Sequence, residues 1–135
     1  MKNPLTSTHT LSADLAALFL RLIVGGLFIY HGYGKLLAFS QMYPTFPDLI
    51  GIGGKLSYIL VIFAEFFCGI FVALGFLTRF SIIPIFITMI VAYFIAHKTD
   101  TFQVKELAFV FLALSVVVFV LGSGKISLDK MIFKK

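Results

Sequence analysis

Charged residues are scarce in this chain of 135 residues, at 13% of the total, whereas hydrophobic residues make up 60%. Soluble domains typically contain about 25% charged and roughly 45–50% apolar residues. A soluble chain of this size buries only about two-thirds of the surface of its unfolded form, so it could not shield so many apolar side chains from water. The composition therefore excludes a soluble enzyme, a disordered tail and a secreted disulfide scaffold.

Cysteine is equally scarce, because Cys68 is the only one in the sequence. A single cysteine excludes an intramolecular disulfide, a CxxC redox pair and a thiolate zinc site. The net charge of +5 does not indicate a nucleic-acid partner, since the basic residues flank apolar segments and gather near the C-terminus. That distribution is typical of charges beside a membrane. We expect neither a nucleic-acid partner nor a metal site.

What the chain has in abundance is long apolar runs, over residues 15–37, 56–77, 80–97 and 104–121. A helix that crosses the membrane needs about 20 residues, with a range of roughly 17–25. Backbone groups cannot stay unpaired in lipid, and the runs lack the alternation of a β-barrel strand, so each is interpreted as a helix. The sequence predicts an all-α, integral membrane four-helix bundle, with a polar N-terminal tail (1–14) and a basic C-terminal tail (122–135).

The connections between the runs differ in length. Ser12 or Asp14 is a candidate N-cap for the first helix. The long segment from Ala38 to Lys55 is rich in proline and glycine, and we expect it to turn repeatedly and fold back against the bundle. The very short link after the second run makes the second and third helices antiparallel neighbours.

Four spans place both termini on the same side of the membrane. Six basic residues lie on that side, namely Lys2, Arg79, Lys125, Lys130, Lys134 and Lys135. Four lie on the other side, namely Lys35, Lys55, Lys98 and Lys105. Because cytoplasmic segments carry an excess of lysine and arginine, the distribution predicts cytoplasmic termini.

Ionisable side chains within the apolar runs are costly in lipid, and they mark function or pairing. At about 100° per residue, Arg21, His31 and Lys35 fall on one side of the first helix. Glu65 lies near the middle of the second run. We expect these groups to face a shared interior pocket, where glycines let a neighbouring helix or a flat ligand approach closely.

The candidate site residues form two groups. The candidates for catalysis are His31, Lys35, Glu65 and Glu106. The candidates for ligand binding are Arg21, Gly25, Phe28, Gly32, Gly69 and His97.

Structural interpretations of these residues remain open. Arg21 and Glu65 could pair only to fix helix packing. Lys35 could extend its ammonium group to the headgroups, as lysine does near helix ends. His97 and Glu106 flank a loop and could be ordinary interfacial residues.

The pattern of these residues resembles the DoxX family of small four-helix bacterial membrane proteins. The first span reads Arg21-x3-Gly25-x2-Phe28-x2-His31-Gly32-x2-Lys35, and the chain after the fourth span reads Gly122-Ser-Gly-Lys-x-Ser-Leu-Asp129. The family often has proline at the position of Ser123 and an aromatic residue at that of Ile126. The resemblance implies a location in the bacterial cytoplasmic membrane and a role as an oxidoreductase subunit, related to the DoxD-type subunit of a thiosulfate:quinone oxidoreductase.

Three functions are compatible with these features. The first is a membrane subunit of a quinone-linked oxidoreductase, in which His31, Lys35, Glu65 and Glu106 bind and protonate a quinone while a redox partner protein supplies electrons. The second is haem ligation by His31 and His97, which two histidines support only weakly. The third is a non-enzymatic scaffold, an assembly factor for a redox partner, or a small transporter. A homodimer is compatible with so thin a bundle.

Overall fold

The structure, a computed structural model, describes residues 3–133, so the basic residues Lys2, Lys134 and Lys135 lie outside the described part. Within residues 3–133 the chain is helical and contains no strand. Four helices are long and apolar enough to cross a membrane, and they confirm the all-α, four-helix membrane architecture. We call them spans 1 to 4: Ala13–Leu37, Gly54–Leu74, Thr78–Ala96 and Phe102–Leu121.

Span 1 is fixed at its start by two side chains. The Ser12 hydroxyl accepts a hydrogen bond from the backbone N–H of Leu15 at 3.2 Å, which confirms Ser12 as the N-cap. Asp14 has another role, because its carboxylate accepts the backbone N–H of Lys125 at 3.0 Å. The start of span 1 is thereby tied to the segment after span 4.

The turn between spans 2 and 3 is tight because Gly75 adopts a left-handed conformation with φ of 72°. The N–H groups of Phe76 and Gly75 bond the carbonyls of Phe71 and Val72, which is the Schellman pattern that ends many helices. Leu77 is also left-handed, with φ of 47°. Spans 2 and 3 therefore leave the turn as antiparallel neighbours, as the short link predicts.

The four spans form a ring in which each packs on two others. Span 1 packs along span 2 and against span 4, and span 3 packs against spans 2 and 4. The core lies between them and contains Val24, Phe28, Cys68, Val72, Ile82, Ile85, Met89, Phe111 and Val118. Most other apolar side chains of the spans are exposed on the outside, as expected of helices that face acyl chains.

Spans 2 and 3 each contain one π-helical turn, at Phe63–Phe67 and at Ala92–Ala96. Such turns insert one extra residue into a helix and occur frequently at functional sites. The first lies near the middle of span 2, and the second ends span 3 on the side of the 38–53 connection. Residues of both turns line the same interior space.

The 38–53 connection folds back over this end of the bundle, as the sequence predicts. It contains a short helix, Phe39–Met42, and a 3-10 turn, Tyr43–Thr45. The rings of Phe39 and Phe46 lie 5.8 and 5.0 Å from that of Tyr58 in span 2. Aromatic packing thus holds the connection against the bundle.

Candidate functional site

A cavity of about 610 Å³ opens within the half of the bundle that the 38–53 connection covers. This volume is within the range of small-molecule sites, about 300–1,000 Å³. All four spans and the connection contribute to its wall, which is mainly apolar. The polar side chains of the wall are His31, Lys35, Ser57, Glu65, Thr88, His97 and Lys105.

An ion pair between spans 1 and 2 lies in the wall of this cavity. Lys35 Nζ is 2.7 and 2.9 Å from the two carboxylate oxygens of Glu65. The Glu65 side chain is only 5% exposed, whereas that of Lys35 is 34% exposed. A buried carboxylate needs such a partner, because an unpaired charge away from water is costly. The pair therefore neutralises Glu65 and leaves the lysine ammonium in contact with the cavity.

Local structure positions both members of the pair. Glu65 belongs to the π-helical turn Phe63–Phe67 of span 2. Lys35 lies in the last turn of span 1, where a positive charge is favourable to the helix dipole. The Tyr58 hydroxyl donates a hydrogen bond to the carbonyl of Lys35 at 2.7 Å, which fixes the end of span 1 against span 2.

His31 lies one helical turn before Lys35 and lines the same cavity. Its ring is partly buried and stands edge-on to the ring of Phe111 in span 4, with centroids 6.3 Å apart. Phe28 packs against the ring of Phe111, with the two ring centroids 4.6 Å apart. Aromatic rings thus hold the imidazole at the cavity wall, beside the Lys35–Glu65 pair.

The structure brings together only some of the predicted site residues. Phe28, His31, Lys35, Glu65 and His97 line the cavity. His97 Nδ1 is 2.8 Å from a carboxylate oxygen of Asp100, a residue outside the cavity wall. Glu106 is exposed and does not line the cavity.

The pairing of Arg21 with Glu65, which the sequence left open, does not occur, because Glu65 pairs with Lys35. Arg21 lies in the opposite half of the bundle, where it is 1% exposed and donates hydrogen bonds to the carbonyls of Ala73, at 3.4 Å, and Ile126. Fourteen residues separate Arg21 from Lys35 along span 1, which is about 21 Å of helix. The basic and acidic groups of the spans therefore do not share one site.

The segment after span 4 completes this second polar cluster. The Asp129 carboxylate accepts hydrogen bonds from the backbone N–H groups of Leu77 and Thr78, at 2.8 and 3.4 Å, and from the hydroxyl of Ser123. Arg79 donates to the carbonyls of Phe119 and Val120, at 2.9 and 3.2 Å. These bonds satisfy backbone groups at helix ends. The Arg21 half of the molecule is thus held together by a structural network.

Gly25, Gly32 and Gly69 lie where spans 1 and 2 meet, and they do not line the cavity. A methyl group on Gly25 would come within 2.7 Å of backbone atoms of Gly69 and Ala73. One on Gly32 would come within 2.6 Å of the backbone nitrogen of Phe66. A neighbouring helix, rather than a ligand, occupies the space beside these glycines.

Several residues of the cavity wall were not among the predicted site residues, including Thr88 and Lys105. Ser57 lines the wall from the first turn of span 2, and Phe46, Leu49 and Ile50 line it from the 38–53 connection. A lone serine in an apolar run gives no pattern, and the position of a connection depends on tertiary packing. Among residues 3–133, no group of three or more histidine, cysteine, aspartate or glutamate side chains is arranged to hold a metal ion.

A match to a known protein family covers spans 1 to 3. The DoxX family model matches residues 16–98, which is more than half of the chain and includes Arg21, His31, Lys35, Glu65 and His97. No curated protein and no solved structure gives a significant match. On the strength of the family match and the four-span architecture, the chain belongs to the DoxX family of membrane proteins.

Proposed function

We propose that this protein is a membrane subunit of a quinone-linked oxidoreductase and that its cavity binds the quinone head group. The observation that supports the proposal most strongly is the Lys35–Glu65 pair in the wall of a mainly apolar cavity. Apolar walls suit a ring with a hydrocarbon tail. A small number of polar donors fixes the orientation of such a ligand.

The cavity has a route for a ligand from the lipid. Leu60 and Phe63 of span 2 and Ile87 of span 3 line it, and each is about half exposed, at 45, 46 and 55%. The first half of span 2, Gly54–Ile62, packs on span 1 and on the 38–53 connection, and it has little contact with span 3. A lipid-soluble ligand would enter between spans 2 and 3.

The polar wall residues suit the head group of a quinone. Lys35 donates hydrogen bonds from its ammonium group, and His31 donates from a ring nitrogen. Such donors would hold a ring oxygen, and His31 would pass protons to it, because an imidazole ring can both donate and accept a proton. Glu65 holds Lys35 in place.

A redox partner protein would supply the electrons, because a quinone takes up two electrons and two protons when it becomes a quinol. This chain would bind and orient the quinone and pass protons to it at His31. The partner would dock on the bundle at the membrane surface. Haem ligation by His31 and His97 is the less favoured hypothesis, because it rests only on two histidines that line the same cavity.

Quinone retention tests the proposal. The protein is extracted from bacterial membranes into nanodiscs, and bound quinone is measured by chromatography and mass spectrometry. The wild type should retain quinone in an amount comparable to protein, and His31→Ala should reduce retention by about tenfold. His9→Ala, a matched histidine in the N-terminal tail, should retain the wild-type amount. Absence of quinone from the wild type, or equal retention by His31→Ala, would overturn the proposal.

We also propose that both termini face the cytoplasm of a bacterium, because six of the ten basic residues outside the spans and at their ends lie on that side. A cysteine placed at Asp48 in a Cys68→Ala background should react with a membrane-impermeant maleimide on spheroplasts. One placed at Lys125 should react only after the membrane is opened. The reverse pattern would contradict the orientation.

A further inference from the structure

Ser57 is the buried polar residue of the cavity wall that the proposed function leaves unexplained. It is 7% exposed, and its hydroxyl oxygen has no hydrogen-bond partner among the described residues. Buried polar groups in native proteins are nearly always hydrogen-bonded, so each exception calls for an explanation. Ser57 lines the cavity, which a ligand would occupy.

The other buried serines of residues 3–133 behave differently. Ser81, Ser115 and Ser127 donate to the carbonyls of Phe76, Leu112 and Gly124, at 3.3, 2.6 and 2.8 Å. None of the three lines the cavity. The unpaired hydroxyl therefore occurs at the buried serine of the cavity wall, and the paired ones occur elsewhere.

We propose that the Ser57 hydroxyl is a ligand-binding donor, which hydrogen-bonds the ring oxygen of the quinone farther from the Lys35–Glu65 pair. This inference rests on the proposed function. A serine side chain changes between its three rotamers at low cost, so the hydroxyl can turn toward a bound ligand.

The spacing along span 2 suits a ligand with two polar ends. Ser57 and Glu65 are eight residues apart, which is about two helical turns and roughly 12 Å of helix. Both line the same cavity. A quinone has oxygen atoms on opposite sides of its ring, so one can meet the ammonium of Lys35 while the other meets Ser57. A lipid with a single polar end would satisfy only one of the two.

A titration with a decyl-substituted benzoquinone in nanodiscs tests this role. The chain contains no tryptophan, so a single Leu60→Trp substitution at the cavity mouth provides a fluorescence signal that a bound quinone quenches. In this background Ser57→Ala should weaken binding by about three- to tenfold, because one neutral hydrogen bond is lost. Ser57→Thr, which keeps a hydroxyl, should bind more tightly than Ser57→Ala.

Thermal unfolding without quinone separates this role from a structural one. Removal of an unpaired buried hydroxyl should leave the melting temperature of Ser57→Ala unchanged or raise it. Ser115→Ala serves as the control: it removes a paired hydroxyl outside the cavity, so it should lower the melting temperature and leave quinone affinity unchanged.

Three results would overturn the inference in distinguishable ways. If Ser57→Ala binds quinone as tightly as the parent while His31→Ala binds it weakly, Ser57 is not a contact and the proposed function stands. If the parent itself binds no quinone, both the inference and the proposed function fail. Destabilisation of ligand-free Ser57→Ala would assign Ser57 a packing role instead.

Discussion

At the scale of single residues, Glu65 of span 2 pairs with Lys35 of span 1, and Arg21 donates to backbone carbonyls in the other half of the bundle. Helix geometry correctly predicts that His31 and Lys35 lie near each other on span 1. It does not reveal that Glu65 pairs with Lys35 and not with Arg21. The 38–53 connection between spans 1 and 2 is long, so the sequence does not determine how deep span 2 lies relative to span 1. The π-helical turn at Phe63–Phe67 further changes the direction of Glu65.

The Lys35–Glu65 pair provides the first prediction at this scale. Lys35→Met leaves the buried Glu65 carboxylate without its counter-ion, so it should lower the free energy of unfolding by about 3 kcal/mol. The double substitution Lys35→Met with Glu65→Leu should recover most of that loss, because an apolar pair of similar volume replaces both charges. Thermal unfolding in the same detergent compares the two variants. A double variant no more stable than the single one would contradict this account of the pair.

At the scale of helices, apolar length predicts four spanning helices, and this prediction is confirmed. The two π-helical turns could not be predicted, because one inserted residue leaves no clear mark in an apolar run. Nor does the sequence show which glycines form helix contacts. Span 1 contains Gly25, Gly26, Gly32 and Gly34, of which only Gly25 and Gly32 touch span 2.

These four glycines allow a matched test of the contact between spans 1 and 2. Gly25→Ala and Gly32→Ala place a methyl group against backbone atoms of span 2, so each should cost about 1–3 kcal/mol of stability. Gly26→Ala and Gly34→Ala meet no atom within 4 Å, so each should stabilise the helix by about 0.5–1 kcal/mol. Melting temperatures of the four variants measure the difference. Equal changes in melting temperature for the Gly25 and Gly32 variants and for the Gly26 and Gly34 variants would contradict the close packing of spans 1 and 2.

At the scale of the whole molecule, the bundle has two ends with different roles. One end holds Arg21 and Asp129 in a network that ties the C-terminal segment to spans 1 to 3. The other holds the cavity with His31, Lys35 and Glu65. The sequence predicts a single convergent set of polar groups, because side-chain direction alone does not distinguish depth. About 21 Å of helix between Arg21 and Lys35 divides that set into a structural part and a candidate binding part.

We propose that the cavity end binds a quinone through its polar wall and that this binding is independent of the bundle's stability. The most direct test is the amount of quinone bound by the Lys35→Met/Glu65→Leu double variant, measured by extraction after its fold and melting temperature have been verified. We expect the double variant to fold and to bind at least tenfold less quinone than the wild type. A folded double variant that retains as much quinone as the wild type would contradict the proposal.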